Sequence, residues 1–163
     1  MRRRLLLVLL LAARPVRAEP DLLRVGVGWG AIAVIGTDIR GALLVVGSYA
    51  LWRTDWLALR ASLSLSSQEF GGDGALFIFT QHADVELAPV TWFSIYAGVG
   101  HSQQVGGDRF GVHAGLVTQP TLCVGLRFSS SGSPRYGVSL EISHAVFQQL
   151  VFETGGMFAT VAW

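Results

Sequence analysis

Four groups of residues in this 163-residue chain carry side chains that could do chemistry. Ser143, His144 and Glu153 supply a hydroxyl nucleophile, an imidazole base and a carboxylate to orient it. His82, Asp84 and Glu86 recur at i, i+2 and i+4, which on a strand puts three potential metal ligands on one face. Cys123 is the only cysteine. Gly26-Val27-Gly28-Trp29-Gly30-Ala31 matches G-x-G-x-x-A, the phosphate turn of dinucleotide sites.

What each group can do depends on the element that carries it, and the pattern here is period two. Segments of about ten residues alternate apolar with small or polar residues. In Trp56 to Ser66, Leu57, Leu59, Ala61, Leu63 and Leu65 oppose Ala58, Arg60, Ser62, Ser64 and Ser66. Similar alternation runs through Leu23–Ile35, Ala75–Leu87, Trp92–Gly100, Tyr136–Phe147 and Gly156–Trp163. Ala42 to Trp52 is apolar on both faces and leaves its register open. The polar face is mostly Gly, Ser, Thr and Ala, which suits a narrow interior. A water-facing sheet would carry more Lys, Glu and Arg, so the bulky apolar face is expected to meet something other than water.

Strands change the chemical reading. Ser143 and His144 are adjacent on a strand and point to opposite faces, so they make a poor nucleophile–base pair. The glycine motif lacks the helix that a dinucleotide site requires and reads as glycines easing a crowded interior. Cys123, inward beside Gly125 and Arg127 with no His or acid at a suitable spacing, reads as a small buried filler. His82, Asp84 and Glu86 lie near Arg60, so ion pairing is favoured over metal binding. His101 and His113 flank a long loop and are isolated. No catalytic residue, metal or cofactor is expected.

Six charges fall within strands on the small-residue face: Arg24, Arg60, Asp84, Glu86, Arg127 and Glu141. Buried charges persist only when paired, so a neutral ion-pair network plugging the interior is expected. Trp52, Trp56, Trp92, Phe128, Tyr136 and Trp163 cluster at strand ends beside one set of turns. Phe70, Phe77, Phe110, Phe147 and Phe152 lie near the other set. Two aromatic girdles at opposite strand ends suit a membrane barrel, the first on the periplasmic side.

One set of connections is short: Arg53–Asp55, Ala88–Thr91 and Ser129–Arg135. The other is longer or more acidic and holds five acids and two arginines: Gly36–Gly41, Ser67–Gly74, His101–Arg109 and Gln148–Glu153. With both termini on the short-turn side the strand count is even, and eight fits. Phe110 to Phe128 is long for one membrane strand and contains Pro120. Leu122–Phe128 is therefore placed in the membrane, and Phe110–Val117 is expected to project above it as a hairpin with His101–Val105.

Residues 1–18 (MRRRLLLVLLLAARPVRA) have three leading arginines, a nine-residue apolar stretch and Val16-Arg17-Ala18 before Glu19. This reads as a cleaved signal peptide ahead of one domain, 19–163. All twelve basic residues are Arg; without the five in the leader, seven face eleven acids, a net charge of −4. That excludes an electrostatic nucleic-acid binder. A single cysteine excludes an internal disulfide.

The leader, Tyr96-Ala97-Gly98-Val99-Gly100 after an Ala-Pro turn, and the C-terminal Gly156-Met157-Phe158-Ala159-Thr160-Val161-Ala162-Trp163 resemble the small OmpA/OmpX-type outer-membrane barrels of Gram-negative bacteria. The resemblance implies an all-β, eight-stranded antiparallel up-and-down transmembrane β-barrel with a plugged lumen. It implies a monomer in outer-membrane lipid. It also implies that Gly156, Phe158, Val161 and Trp163 carry the signal read by the barrel-insertion machinery, with Trp where Phe is commoner. An eight-stranded interior holds little beyond its own side chains, which disfavours a porin and favours a structural or surface-interaction role. The first alternative is a lipid-modifying enzyme similar to the lipid A deacylases, which are also eight-stranded barrels using Ser, His and Glu. In that family the His is followed two residues on by Ser, then Asn; here Val146 and Phe147 hold those positions. The second is a soluble periplasmic ligand-binding barrel, which the outward Leu, Phe and Val oppose.

Overall fold

The computed structural model describes residues 20–34, 39–70, 74–105, 117–147 and 150–163. The leader expected over 1–18, Phe110 and His113 lie outside the described residues, as do the side chains of Phe70, Phe147 and Phe152.

Eight strands follow one another: β1 (Leu23–Val34), β2 (Ile39–Arg53), β3 (Leu57–Phe70), β4 (Gly74–Val90), β5 (Phe93–Val105), β6 (Val117–Ser129), β7 (Arg135–Phe147) and β8 (Leu150–Ala162). Each pairs antiparallel with its neighbour in sequence, and β1 closes on β8. The all-β, eight-stranded up-and-down barrel expected from the alternation is what forms.

The register fixes the barrel's dimensions. From Arg24 the pairings run through Ser48, Ser62, His82, Gly100, Thr121, Ala145 and Phe152 and return to β1 at Val34, ten residues displaced. With a rise of about 3.3 Å per residue and about 4.8 Å between strands, a stagger of ten over eight strands gives a tilt of about 40° and a radius of about 8 Å. A thirteen-residue strand at that tilt is roughly 30 Å tall, the thickness of a bilayer's hydrocarbon core.

The alternation points as the sequence implied. Leu59, Leu63 and Ile95 face out and are exposed, with Leu63 51% accessible, while Arg60 on the same strand is 1% accessible. Ile32, Leu44, Ile78, Tyr96 and Phe158 fill the interior with the small residues. In β2, Leu43, Val45, Tyr49 and Leu51 are exposed and Ala42, Leu44, Ser48 and Ala50 buried. The register against β3 shifts between Ala50 and Trp52, so Leu51 and Trp52 are both exposed. The bulge breaks the alternation only at this end of the strand; the register is open in the sequence because the inward Ala42, Leu44 and Ala50 are apolar like the outward residues.

The turn expected at Ala88–Thr91 is shorter, because β4 runs to Val90 across a second register shift. In the stretch ending at Phe128, β5 reaches Val105 and β6 starts at Val117, with Gln104 opposite Val117; residues 106–116, and with them most of the hairpin expected over Phe110–Val117, lie outside the described residues. Pro120 pairs in register with His101 on one side. On the other, the ladder to β7 begins only at Thr121, so no bond there is broken by the missing N–H.

Candidate functional site

Inside the barrel, buried charges gather at the end bearing the short turns. Pro20 and Asp21 are buried just ahead of β1. Leu22 N–H donates to the Trp163 carbonyl at 2.6 Å, and Ala50 N–H to the Leu22 carbonyl at 2.8 Å. These bonds hold the segment under the barrel. One Asp21 carboxylate then meets three arginines: Arg127 Nη1 at 2.6 Å, Arg135 Nε at 3.5 Å and Arg24 Nη2 at 3.7 Å. Its backbone carbonyl accepts from Arg60 Nη1 at 2.6 Å.

Glu86 sits in the same tier. Arg24 Nη2 donates to both its oxygens, at 2.8 and 3.0 Å, Arg60 Nη1 lies 3.4 Å away, and Ser94 Oγ donates at 2.6 Å. Arg60 Nε also donates to Ser48.

Asp84 and Glu141 form a separate tier, where their partners are neutral. Ser62 Oγ donates to Asp84 Oδ2, and Cys123 Sγ donates to Asp84 Oδ1 at 3.2 Å. Tyr96 Oη donates to Glu141 Oε2 at 2.9 Å, and Ser143 Oγ to Oε1 at 3.1 Å. Tyr96 fits because Gly125 faces it: a Cβ there would overlap the phenol ring. Phe158 lies in register with Gly28, where a Cβ would strike the β8 backbone.

The six inward charges thus form two clusters instead of the one network expected, and the acid that organises the first is Asp21. It escaped the sequence reading because it precedes β1 and belongs to no alternation. The ion pairing expected between the His82, Asp84 and Glu86 group and Arg60 is made by Glu86; Asp84, although in register with Arg60, is not its partner, and the guanidinium turns toward Glu86, Ser48 and the Asp21 carbonyl. Cys123 is also corrected. It lies against Asp84, because β5 places only Gly98 between the two strands, a proximity no linear spacing reveals.

Above these tiers a hydroxyl chain links Thr80, Ser102 and Thr121, at 2.9 and 2.6 Å. Two cavities in the interior have volumes of about 10 and 20 Å³, each room for about one water.

The outer surface carries the remaining predicted residues. Trp52, Trp56, Trp92, Phe128, Tyr136 and Trp163 are all exposed at the short-turn end. Trp92 stacks on Phe128 with ring centroids 6.4 Å apart, and Phe93 packs against both. Gly156 and Phe158 turn inward, Val161 and Trp163 outward. His144 and Glu153 are in register on β7 and β8, with Nδ1 3.5 Å from Oε1. Both face outward, whereas Ser143 is buried and bonded to Glu141. A base and its carboxylate are present; the other cross-strand neighbour of His144 is Leu122, which offers no nucleophile.

No protein-family model matches the chain, and no curated protein matches it in sequence. Its fold does match solved structures. Ail, the attachment invasion locus protein of Yersinia pestis, aligns with a TM-score of 0.60 at 14% identity, over 91% of this chain and 100% of Ail. A second Ail structure, in complex with the heparin analogue sucrose octasulfate, gives 0.61 at 13% identity, over 86% and 96%. The likeness to small eight-stranded barrels of the OmpA/OmpX type therefore holds at the level of fold.

Proposed function

We propose that this chain is a small, non-porin β-barrel protein of the bacterial outer membrane, exported with a cleaved leader and acting in a structural or surface-interaction role. The observation that carries the reading is the inversion of the barrel. Val27, Trp29, Leu63, Val99 and Ile142 are exposed on the outside while arginines and acids are buried within. An apolar belt of this extent in water would aggregate; in hydrocarbon it is the ordinary lipid-facing surface. This opposes a soluble periplasmic barrel. The aromatic ring at the short-turn end is the interfacial girdle, Trp163 closes the strand read during insertion, and the partners are lipid and the insertion machinery. The charged floor and the small cavities oppose solute passage.

The shared fold with Ail supports a surface-interaction role without fixing the partner. The outer loops carry five acids against two arginines in the sequence, a balance that disfavours a heparin-like polyanion as the partner. A second reading, a lipid-modifying enzyme, rests on the outward His144–Glu153 pair alone; an unchanged lipid A mass spectrum when the folded barrel is expressed rejects it.

The main reading is tested by separating membranes and running the outer-membrane fraction unboiled and boiled. A faster-migrating unboiled band is expected. Absence of a shift, with the protein recovered in soluble periplasm, overturns the proposal.

A further inference from the structure

Near mid-height three side chains of different chemistry meet over a strand that has none there. His82 and Asp84 come from β4 and Cys123 from β6. Between them β5 presents Gly98, in register with both Asp84 and Cys123, and Gly100, in register with His82. A Cβ on Gly98 would collide with the Asp84 carboxylate, and one on Gly100 with the β4 backbone. The glycines therefore clear the space in which the groups converge. An imidazole nitrogen of His82, a carboxylate oxygen of Asp84 and Cys123 Sγ all lie within 4.8 Å of one another.

Two further observations point to a cation. His82 is 7% accessible, and its Nε2 is buried without a hydrogen-bond partner, a costly arrangement for a polar nitrogen. Asp84 is 3% accessible, and its hydrogen-bond partners are the Ser62 hydroxyl and the Cys123 thiol. Among the described residues no arginine forms an ion pair with it. A buried carboxylate normally has a cation beside it.

We propose that His82, Asp84 and Cys123 bind one divalent transition-metal ion of the Zn²⁺ class in the lumen. A nitrogen, an oxygen and a sulfur donor together suit Zn²⁺ or Co²⁺ and not the oxygen-seeking Ca²⁺ or Mg²⁺. Tetrahedral bonds of about 2.0–2.3 Å bring ligand atoms roughly 3.3–3.8 Å apart, so the present spacing closes with small side-chain rotations. Binding displaces the Cys123 thiol proton to solvent. The resulting thiolate and the Asp84 carboxylate balance the two positive charges of the ion. The fourth position falls to water or to the Ser62 hydroxyl. The ion ties β4 to β6 across a strand that has no side chain to do so.

The test uses the tag-free chain folded in detergent micelles, stripped with a chelator and given Co²⁺ alone. One Co²⁺ per chain is expected, with a thiolate-to-cobalt charge-transfer band that Zn²⁺ abolishes. Because Cys123 is the only cysteine, the wild-type band assigns the sulfur ligand without any variant. His82→Ala and Cys123→Ser are expected to lose the band while keeping the mobility of the folded barrel. Absence of a band from the wild type at saturating Co²⁺ overturns the proposal whether or not the variants fold. So does stoichiometric binding that survives both substitutions, which assigns the ion to another site such as His144 and Glu153.

Discussion

Asp21 Oδ2 accepts a hydrogen bond from Arg127 Nη1 at 2.6 Å, joining the residue just ahead of β1 to the sixth strand across the barrel floor. Both side chains are buried, and the same carboxylate faces Arg24 and Arg135. Removing one partner of a buried pair leaves the other charge uncompensated. Asp21→Ala is expected to destabilise the barrel by roughly 3–5 kcal/mol, measured by urea unfolding in lipid vesicles. A loss below about 1 kcal/mol would show that the arginines are satisfied without it.

The outward face makes a depth-dependent prediction. Leu63 lies six residues above the start of β3, near mid-height, and Tyr136 sits at the short-turn end. Leu63→Arg is expected to cost about 2–4 kcal/mol and Tyr136→Arg about 0–1 kcal/mol in the same unfolding assay. Equal costs at the two positions would contradict the placement of the belt.

Tyr96 and Glu141 test the upper tier. Tyr96→Phe keeps the ring packed over Gly125 but leaves Glu141 Oε2 without its donor. A buried acceptor stripped of its partner costs about 1–3 kcal/mol, read as a lower urea midpoint at unchanged slope. An unchanged midpoint would mean that water replaces the phenol without penalty.

Much of this molecule is legible in its sequence because one physical rule governs all eight strands. Side chains alternate across a strand, and most of the bulky apolar ones point away from the axis, so Leu59 and Arg60 declare their faces directly. What the chain hides depends on the third dimension. The extent of β5 and β6 is hidden because pairing continues past Pro120 where only one neighbour is present. The register of β2 is hidden because Leu44 and Ala50 on its inner face are as apolar as Leu43, Val45 and Leu51 on its outer face. Asp21 is hidden because the end of a barrel is closed by whatever precedes its first strand. The approach of Cys123 to Asp84 is hidden because it depends on the stagger of ten and on glycines in the strand between them.

The proposed non-porin role makes an electrical prediction. Among the described residues the interior holds a charged floor and cavities of only about 10 and 20 Å³, which supports a closed lumen. Purified barrel added to a planar bilayer is expected to insert without steady unitary conductance. Reproducible ohmic steps would contradict a closed interior.

The central claim is that the outer face of the barrel meets hydrocarbon, and tryptophan fluorescence tests it most directly. Trp29 is 72% accessible, six residues above the start of β1, while Trp56 lies at the short-turn end. Two single-tryptophan variants, one retaining Trp29 and one Trp56, are reconstituted into vesicles of lipids brominated either deep or shallow along the acyl chain. Trp29 is expected to be quenched most by the deep bromines and Trp56 most by the shallow ones. Quenching of neither residue by any brominated lipid, with both quenched instead by aqueous iodide, would contradict the account.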